Sequence, residues 1–148
     1  MLDDDIRFIR LVERILKAES IDVQPVTTLY VDEAIRVIAD THCDAALVDV
    51  YMYGSALGFT MIERLREHPA TAALPIIVAS SARREIGRRV AFLQQHGCGV
   101  LVKPFNIDEL LVRLQDFTAL APAETPAQLA RPAPPDPHHV AETLPGAT

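Results

Sequence analysis

Apolar residues along the chain fall into two alternating kinds of run. Ile6, Ile9, Val12, Ile15 and Leu16 recur at helical spacing, which predicts an amphipathic helix. Val23 to Leu29 is rich in β-branched residues but interrupted by Pro25, the pattern of an edge strand. Val31, Ala34, Ile35 and Ile38 mark a second helix, and Phe59, Ile62 and Leu65 a third, closed by His68 and Pro69. Ile86, Val90 and Leu93 predict a fourth helix that stops at Gly97. Ile107, Leu110, Leu111, Leu114 and Phe117 predict a fifth, with Asn106 as its N-cap. Between the helices lie short, continuously apolar runs: Ala45 to Val48 ending in Asp49, Pro75 to Ala79 ending in Ser80, and Val100 to Val102 ending in Lys103 and Pro104. Strands apolar on both faces, each followed by an amphipathic helix, bury both sides of a parallel sheet. The expected class is α/β, doubly wound.

This pattern stops at Ala121. The last 28 residues hold seven of the eleven prolines and almost no large apolar side chain. Such a stretch cannot bury enough surface to offset its ordering entropy. We therefore expect one domain over residues 1–120 and a proline-rich, disordered tail over 121–148, with His138 and His139 solvated in it. Hydrophobic residues make up 49% of the chain, enough for a real core. No apolar run reaches the ~18 residues of a membrane span, and no signal segment opens the chain. The charge is 14 − 20 = −6 without a basic stripe, which argues against direct nucleic-acid binding. Two well-separated cysteines, Cys43 and Cys98, suit reduced thiols and a cytoplasmic protein. Only two of the fourteen basic residues are lysines, Lys17 and Lys103. The second sits at the end of an apolar strand and asks for an explanation.

In open parallel sheets, ligands bind beyond the carboxyl ends of the strands. The residues ending each strand are Asp3, Asp4 and Asp5 near the chain start, Asp49, Ser80 and Lys103. Each alone has an ordinary role: the acids and the serine as caps or turn formers, the lysine as a snorkelling strand end. Convergence on one edge is what those roles do not explain. Crowded carboxylates repel one another, and a hard divalent ion such as Mg²⁺ relieves that repulsion through oxygen ligands. A lysine charge and a hydroxyl would meet phosphoryl oxygens, and phosphoryl transfer asks mainly for positioning and charge neutralisation. No glycine-rich phosphate loop is present, so a nucleotide is not the obvious phosphate carrier.

Over about residues 1–120 the chain resembles the receiver domains of bacterial two-component response regulators, the CheY-like family. The matching pieces are Leu2-Asp3-Asp4-Asp5, Ala46 to Met52, Pro75 to Ser81, and Leu101-Val102-Lys103-Pro104-Phe105. The resemblance implies a flavodoxin-like, five-stranded parallel sheet in the order 2-1-3-4-5, flanked by five helices. It implies that Asp49 accepts a phosphoryl group from the phosphohistidine of a histidine kinase or histidine phosphotransfer protein. It further implies that Asp3 and Asp4 hold Mg²⁺ together with Asp49 and the backbone carbonyl of Tyr51. Ser80 matches the switch hydroxyl, Lys103 the phosphate-binding lysine, and the Lys103–Pro104 bond the family's cis peptide. The expected protein is a stand-alone phosphorylation switch acting on a downstream protein target. It is not an enzyme beyond its own phosphoryl transfer and autodephosphorylation.

The sequence departs from the family at four places. Tyr53 stands where a proline is usual, and the loop reaches Gly58 one residue late. The turn at Gly97-Cys98-Gly99 is one residue short. Val100 replaces an aromatic residue that moves with the switch. Only Met1 and Leu2 precede the acids, where the family supplies about five apolar residues; three fewer buried side chains would cost about 5–8 kcal/mol. A miscalled start codon and a degenerate receiver both account for that. Two other readings are a pseudo-receiver that binds partners without phosphate, and a phosphatase-like hydrolase using Asp49. Against the hydrolase, position 51 is Tyr and not the second carboxylate such enzymes use. His68 and His96 read as ordinary helix-end residues and not as phosphorelay histidines. Kinase, target and oligomeric state stay open at this level.

Overall fold

A computed structural model describes residues 1–119 of the chain. The proline-rich tail expected over 121–148 lies outside the described residues.

Helix α1 spans Ile6–Ala18 and α2 Val31–Thr41, followed by β1 at Ala46–Val48 and α3 at Leu57–Glu67. Strand β2 is Ile76–Ser80, and two short helices follow, α4 at Arg83–Arg88 and α5 at Val90–Gln95. Strand β3 is Cys98–Val102 and α6 Ile107–Ala119. Local chemistry sets the ends. Asp5 caps α1, its side chain accepting from the Arg7 and Phe8 amides. Asn106 caps α6 as the sequence predicts, accepting from the Glu109 amide at 2.7 Å.

The strands pair in parallel in the order β1-β2-β3, with Val48 opposite Val78 and Ser80 opposite Val102. Leu2 forms parallel bridges to Val48 on one side and Val26 on the other. The spatial sequence is therefore Val26, Leu2, β1, β2, β3, which reproduces the 2-1-3-4-5 order. The first two positions are single bridges and not strands. The chain turns into the acids directly after Leu2, and Pro25 lacks the N–H that would extend the ladder.

Side chains of β2 alternate between two cores, as a sheet covered on both faces requires. Ile76 and Val78 pack with Ile35, Ile38, Phe59 and Ile62 from α2 and α3. Ile77 and Ala79 pack with Val12, Leu16 and Leu110 from α1 and α6. The expected fourth helix is broken in two at Arg89, whose backbone leaves the helical region (φ −122°, ψ 26°). There the Arg89 guanidinium lies 4.5 Å from the centre of the Phe59 ring. The break turns Val90 out to solvent, while Ile86 and Leu93 stay buried. Among the described residues six helices stand in place of the expected five for this reason. Among the described residues no helix is long and apolar enough to cross a membrane.

Candidate functional site

Because the strands are parallel, their carboxyl ends share one edge. The Leu2 bridge delivers Asp3 there, β1 delivers Asp49, β2 ends on Ser80, and β3 runs into Lys103. The Lys103 amide donates to the Ser80 carbonyl at 3.1 Å, fixing the lysine beside the serine. The Lys103–Pro104 peptide is cis.

Asp3, Asp49 and Ser80 are all buried. The Lys103 ammonium bridges both carboxylates, 2.6 Å from Asp3 Oδ2 and 2.9 Å from Asp49 Oδ2. The Ser80 hydroxyl donates to Asp49 Oδ1 at 2.5 Å, and the Tyr51 amide donates to the same oxygen at 2.8 Å. The Ala82 amide in turn donates to Ser80 Oγ at 3.3 Å, so a hydrogen-bonded line runs from Asp49 to the start of α4. Asp3 Oδ1 accepts from the Asp5 amide at 2.9 Å. Burial pushes the Asp3 carboxyl above its ordinary range, and the Lys103 and Asp5 hydrogen bonds act against that shift.

Asp4 takes a different position. It is exposed, and its Oδ2 accepts from the Tyr53 amide at 2.6 Å. Tyr53 has a left-handed backbone (φ 52°), followed by Gly54 at φ 74°, and its hydroxyl donates to the Thr27 carbonyl. The residue standing in place of proline thus ties the long loop to Asp4 and to the segment beside Leu2. The Tyr51 hydroxyl closes the loop on itself through Gly54 O at 3.0 Å.

Among the described residues no three His, Cys, Asp or Glu side chains form a ready cluster for a metal ion. The donor chemistry nonetheless fits Mg²⁺. Every candidate donor is a hard oxygen, and three carboxylates against one ammonium leave the edge at −3 + 1 = −2.

Two further contributors have roles that the sequence did not show. Phe8 puts its ring under the lysine, with Lys103 Nζ 3.9 Å from the ring centre, and Phe105 meets Phe8 edge to face at 5.9 Å. Phe8 lies one turn after the acids, a placement that helical periodicity alone treats as neutral. Gly58 is the other. A Cβ there would stand 2.2 Å from Asp49 O and 2.4 Å from Val50 Cα, so α3 can pack on the backbone carrying Asp49 only with glycine at this point.

The comparisons with known proteins agree with this geometry. The model of the response regulator receiver domain matches residues 1–115. The chain is 34% identical over 116 residues to the phosphate regulon transcriptional regulatory protein PhoB of Rhizobium meliloti, covering 78% of this chain and 49% of that protein. It spans about half the length of the curated relatives it matches. A solved sensor protein from Polaromonas sp. JS666 superposes with a TM-score of 0.68 at 25% identity, covering 80% of this chain and 94% of the other. The chemotaxis protein CheY4 of Vibrio cholerae shares the fold, with a TM-score of 0.64 at 24% identity over 78% of this chain and 93% of the other.

Proposed function

This chain belongs to the response regulator receiver domain family, and from that premise we propose that it is a phosphorylation switch with Asp49 as the phosphoryl acceptor. Receiver domains are signalling modules of two-component systems, generally non-catalytic and Mg²⁺-binding, paired with a kinase and a downstream effector. The donor here would be a phosphohistidine of a histidine kinase or histidine phosphotransfer protein, and the output a conformational signal to a protein target.

The observation that carries the reading is the Asp49 carboxylate, buried at the sheet edge and held on one oxygen by Lys103 and on the other by Ser80 and Tyr51. In the transfer, a carboxylate oxygen of Asp49 attacks phosphorus, the P–N bond to the donor imidazole breaks, and its electron pair returns to that ring. Asp3, Asp4, Asp49 and the Tyr51 carbonyl would hold Mg²⁺. When bound, the ion neutralises charge on the phosphoryl oxygens. Lys103 supplies a second positive charge within reach of the same oxygens. Ser80 can turn its hydroxyl from Asp49 to a phosphoryl oxygen. Because the Ala82 amide rests on Ser80 Oγ, that turn alters the entry to α4 and moves the change outward.

The test is intact mass after incubation with acetyl phosphate and Mg²⁺. The wild-type chain should gain one phosphoryl group, and chelation or Asp49→Asn should abolish the gain. A phosphoryl gain in Asp49→Asn at the wild-type level, or none in the wild type, would overturn the assignment. The second outcome would favour an interaction module that works without phosphate.

A further inference from the structure

Between β1 and α3 the chain makes a two-residue hairpin. Met52 and Ser55 exchange both backbone hydrogen bonds, each at 3.0 Å, around Tyr53 at φ 52° and Gly54 at φ 74°. Positive φ at both central residues is what a type I′ turn requires, and Asn or Asp followed by Gly is the usual pair. Gly54 meets that demand without steric cost. Tyr53 does not, because a Cβ in the left-handed region crowds the following carbonyl. Asn, Asp or Gly at position 53 would close the same turn with less strain. The turn alone therefore does not account for a tyrosine, and strain of this kind persists only where surrounding contacts hold it.

Two contacts hold it. The Tyr53 amide donates to Asp4 Oδ2 at 2.6 Å, and the Tyr53 hydroxyl donates to the Thr27 carbonyl. Thr27 follows Val26, which bridges to Leu2, and Asp4 lies two residues beyond Leu2. Tyr53 thus joins three chain segments that meet beside the sheet edge. A proline here, with φ fixed near about −65° and no N–H, could make neither the turn nor the bond to Asp4. On the other side, Lys103 gathers Asp3 and Asp49. Among the described residues no third carboxylate completes a metal cluster with that pair.

We propose that Tyr53 is a positioning residue for Asp4: its amide latches the Asp4 carboxylate to the loop, and Asp4 joins Asp3 and Asp49 at the metal edge only by leaving that amide. The latch competes with Mg²⁺ for Asp4 and lowers the affinity of the edge for the ion. The hydroxyl bond to Thr27 sets how firmly the latch is held. Uptake of the ion at Asp4 frees the Tyr53 amide, so the loop registers whether the edge is loaded. The latch rests on the proposed reading of Asp4 as a metal ligand, and the two fail in different ways.

The experiment titrates Mg²⁺ alone into the full 148-residue chain by calorimetry, beside Tyr53→Pro, Tyr53→Phe and Asp4→Asn. Hydrogen exchange at the Tyr53 amide is followed in the wild type with and without the ion. Loss of one hydrogen bond to an exposed carboxylate should tighten Mg²⁺ binding about fivefold in Tyr53→Pro. Tyr53→Phe keeps the amide and loses the tether, so its affinity should fall between the two. Mg²⁺ should speed exchange at the wild-type Tyr53 amide, and Asp4→Asn should weaken binding. A merely structural role for Tyr53 would not produce tighter binding on its removal. Equal or weaker affinity in both Tyr53 variants, with binding still weakened in Asp4→Asn, overturns the latch and leaves Asp4 as a ligand. Wild-type affinity in Asp4→Asn overturns the metal role of Asp4 and the latch with it. If Tyr53→Pro fails to fold, Tyr53→Phe decides, and affinity no higher than wild type overturns the latch. Undiminished protection of the Tyr53 amide in the Mg²⁺-loaded chain overturns it too.

Discussion

Replacing Lys103 by methionine removes the one cation among the described residues that touches both buried carboxylates, while keeping most of the side chain's apolar length. The side chains of Asp3 and Asp49 are 2% and 8% exposed, and that of Lys103 is 17% exposed. Taking one partner from a buried ion pair typically costs about 3–5 kcal/mol, because the charge left behind stays desolvated. The partial exposure of Lys103 argues for the lower end, about 3 kcal/mol. That corresponds to a fall of roughly 10 °C in the melting midpoint for a domain of this size. The reading of Lys103 as a removable strand-end charge, natural from sequence, gives way to that of a cation paired with two buried carboxylates. The loss should also depend on pH. Burial raises the Asp3 pKa, so the stability tied to its proton is full below the ordinary carboxylate value near about 4 and is lost as pH rises through the higher folded value. Lys103 opposes that rise, and without it the Asp3 value climbs further. The gap between wild type and Lys103→Met should therefore widen from pH 4 towards pH 8. Mg²⁺ at about a hundred times its dissociation constant should return up to about 2.7 kcal/mol. The assay is urea unfolding in chelator across that pH range, repeated with Mg²⁺. A gap under about 0.5 kcal/mol at pH 8, or one flat with pH, would refute the reasoning, since surface charges behave that way.

Asp3→Asn keeps an acceptor for the Asp5 amide and removes a buried charge that the fold holds against its preference, so in metal-free buffer it should raise the melting midpoint and flatten the pH dependence of stability; a lower midpoint would mean that the Lys103 pair outweighs burial. Gly58→Ala drives a Cβ into the backbone of Asp49 and Val50 and should destabilise by about 3 kcal/mol or more, read from chemical melts, with Thr60→Ala on the exposed side of α3 as the control. Burial pushes the Cys98 thiol up to about 11, so its alkylation by iodoacetamide at pH 8 should be on the order of a hundredfold slower than that of an unperturbed thiol, measured by peptide mass spectrometry.

Periodicity by itself determined most of the helices and the parallel sheet, because alternating amphipathic and fully apolar runs have few other ways to bury both faces, whereas the order of the strands came from the family resemblance. Strand ends likewise placed Asp3, Asp49, Ser80 and Lys103 on one edge, since parallel strands share their carboxyl ends. Spacing could not show which of those groups touch. Whether Lys103 reaches Asp3, Asp49 or neither depends on the stagger between β3 and the Leu2 bridge, set by long-range pairing. The same holds for Asp4, which the Tyr53 amide draws away from its neighbour. It holds for Phe8 beneath the lysine, and for the break at Arg89 that exposes Val90. Gly58 is a further case, because a missing Cβ matters only where another backbone arrives within 2.2 Å. One-dimensional pattern specifies what must be buried; which atoms meet is decided when separate segments pack, by contacts between residues as far apart as Asp3 and Lys103.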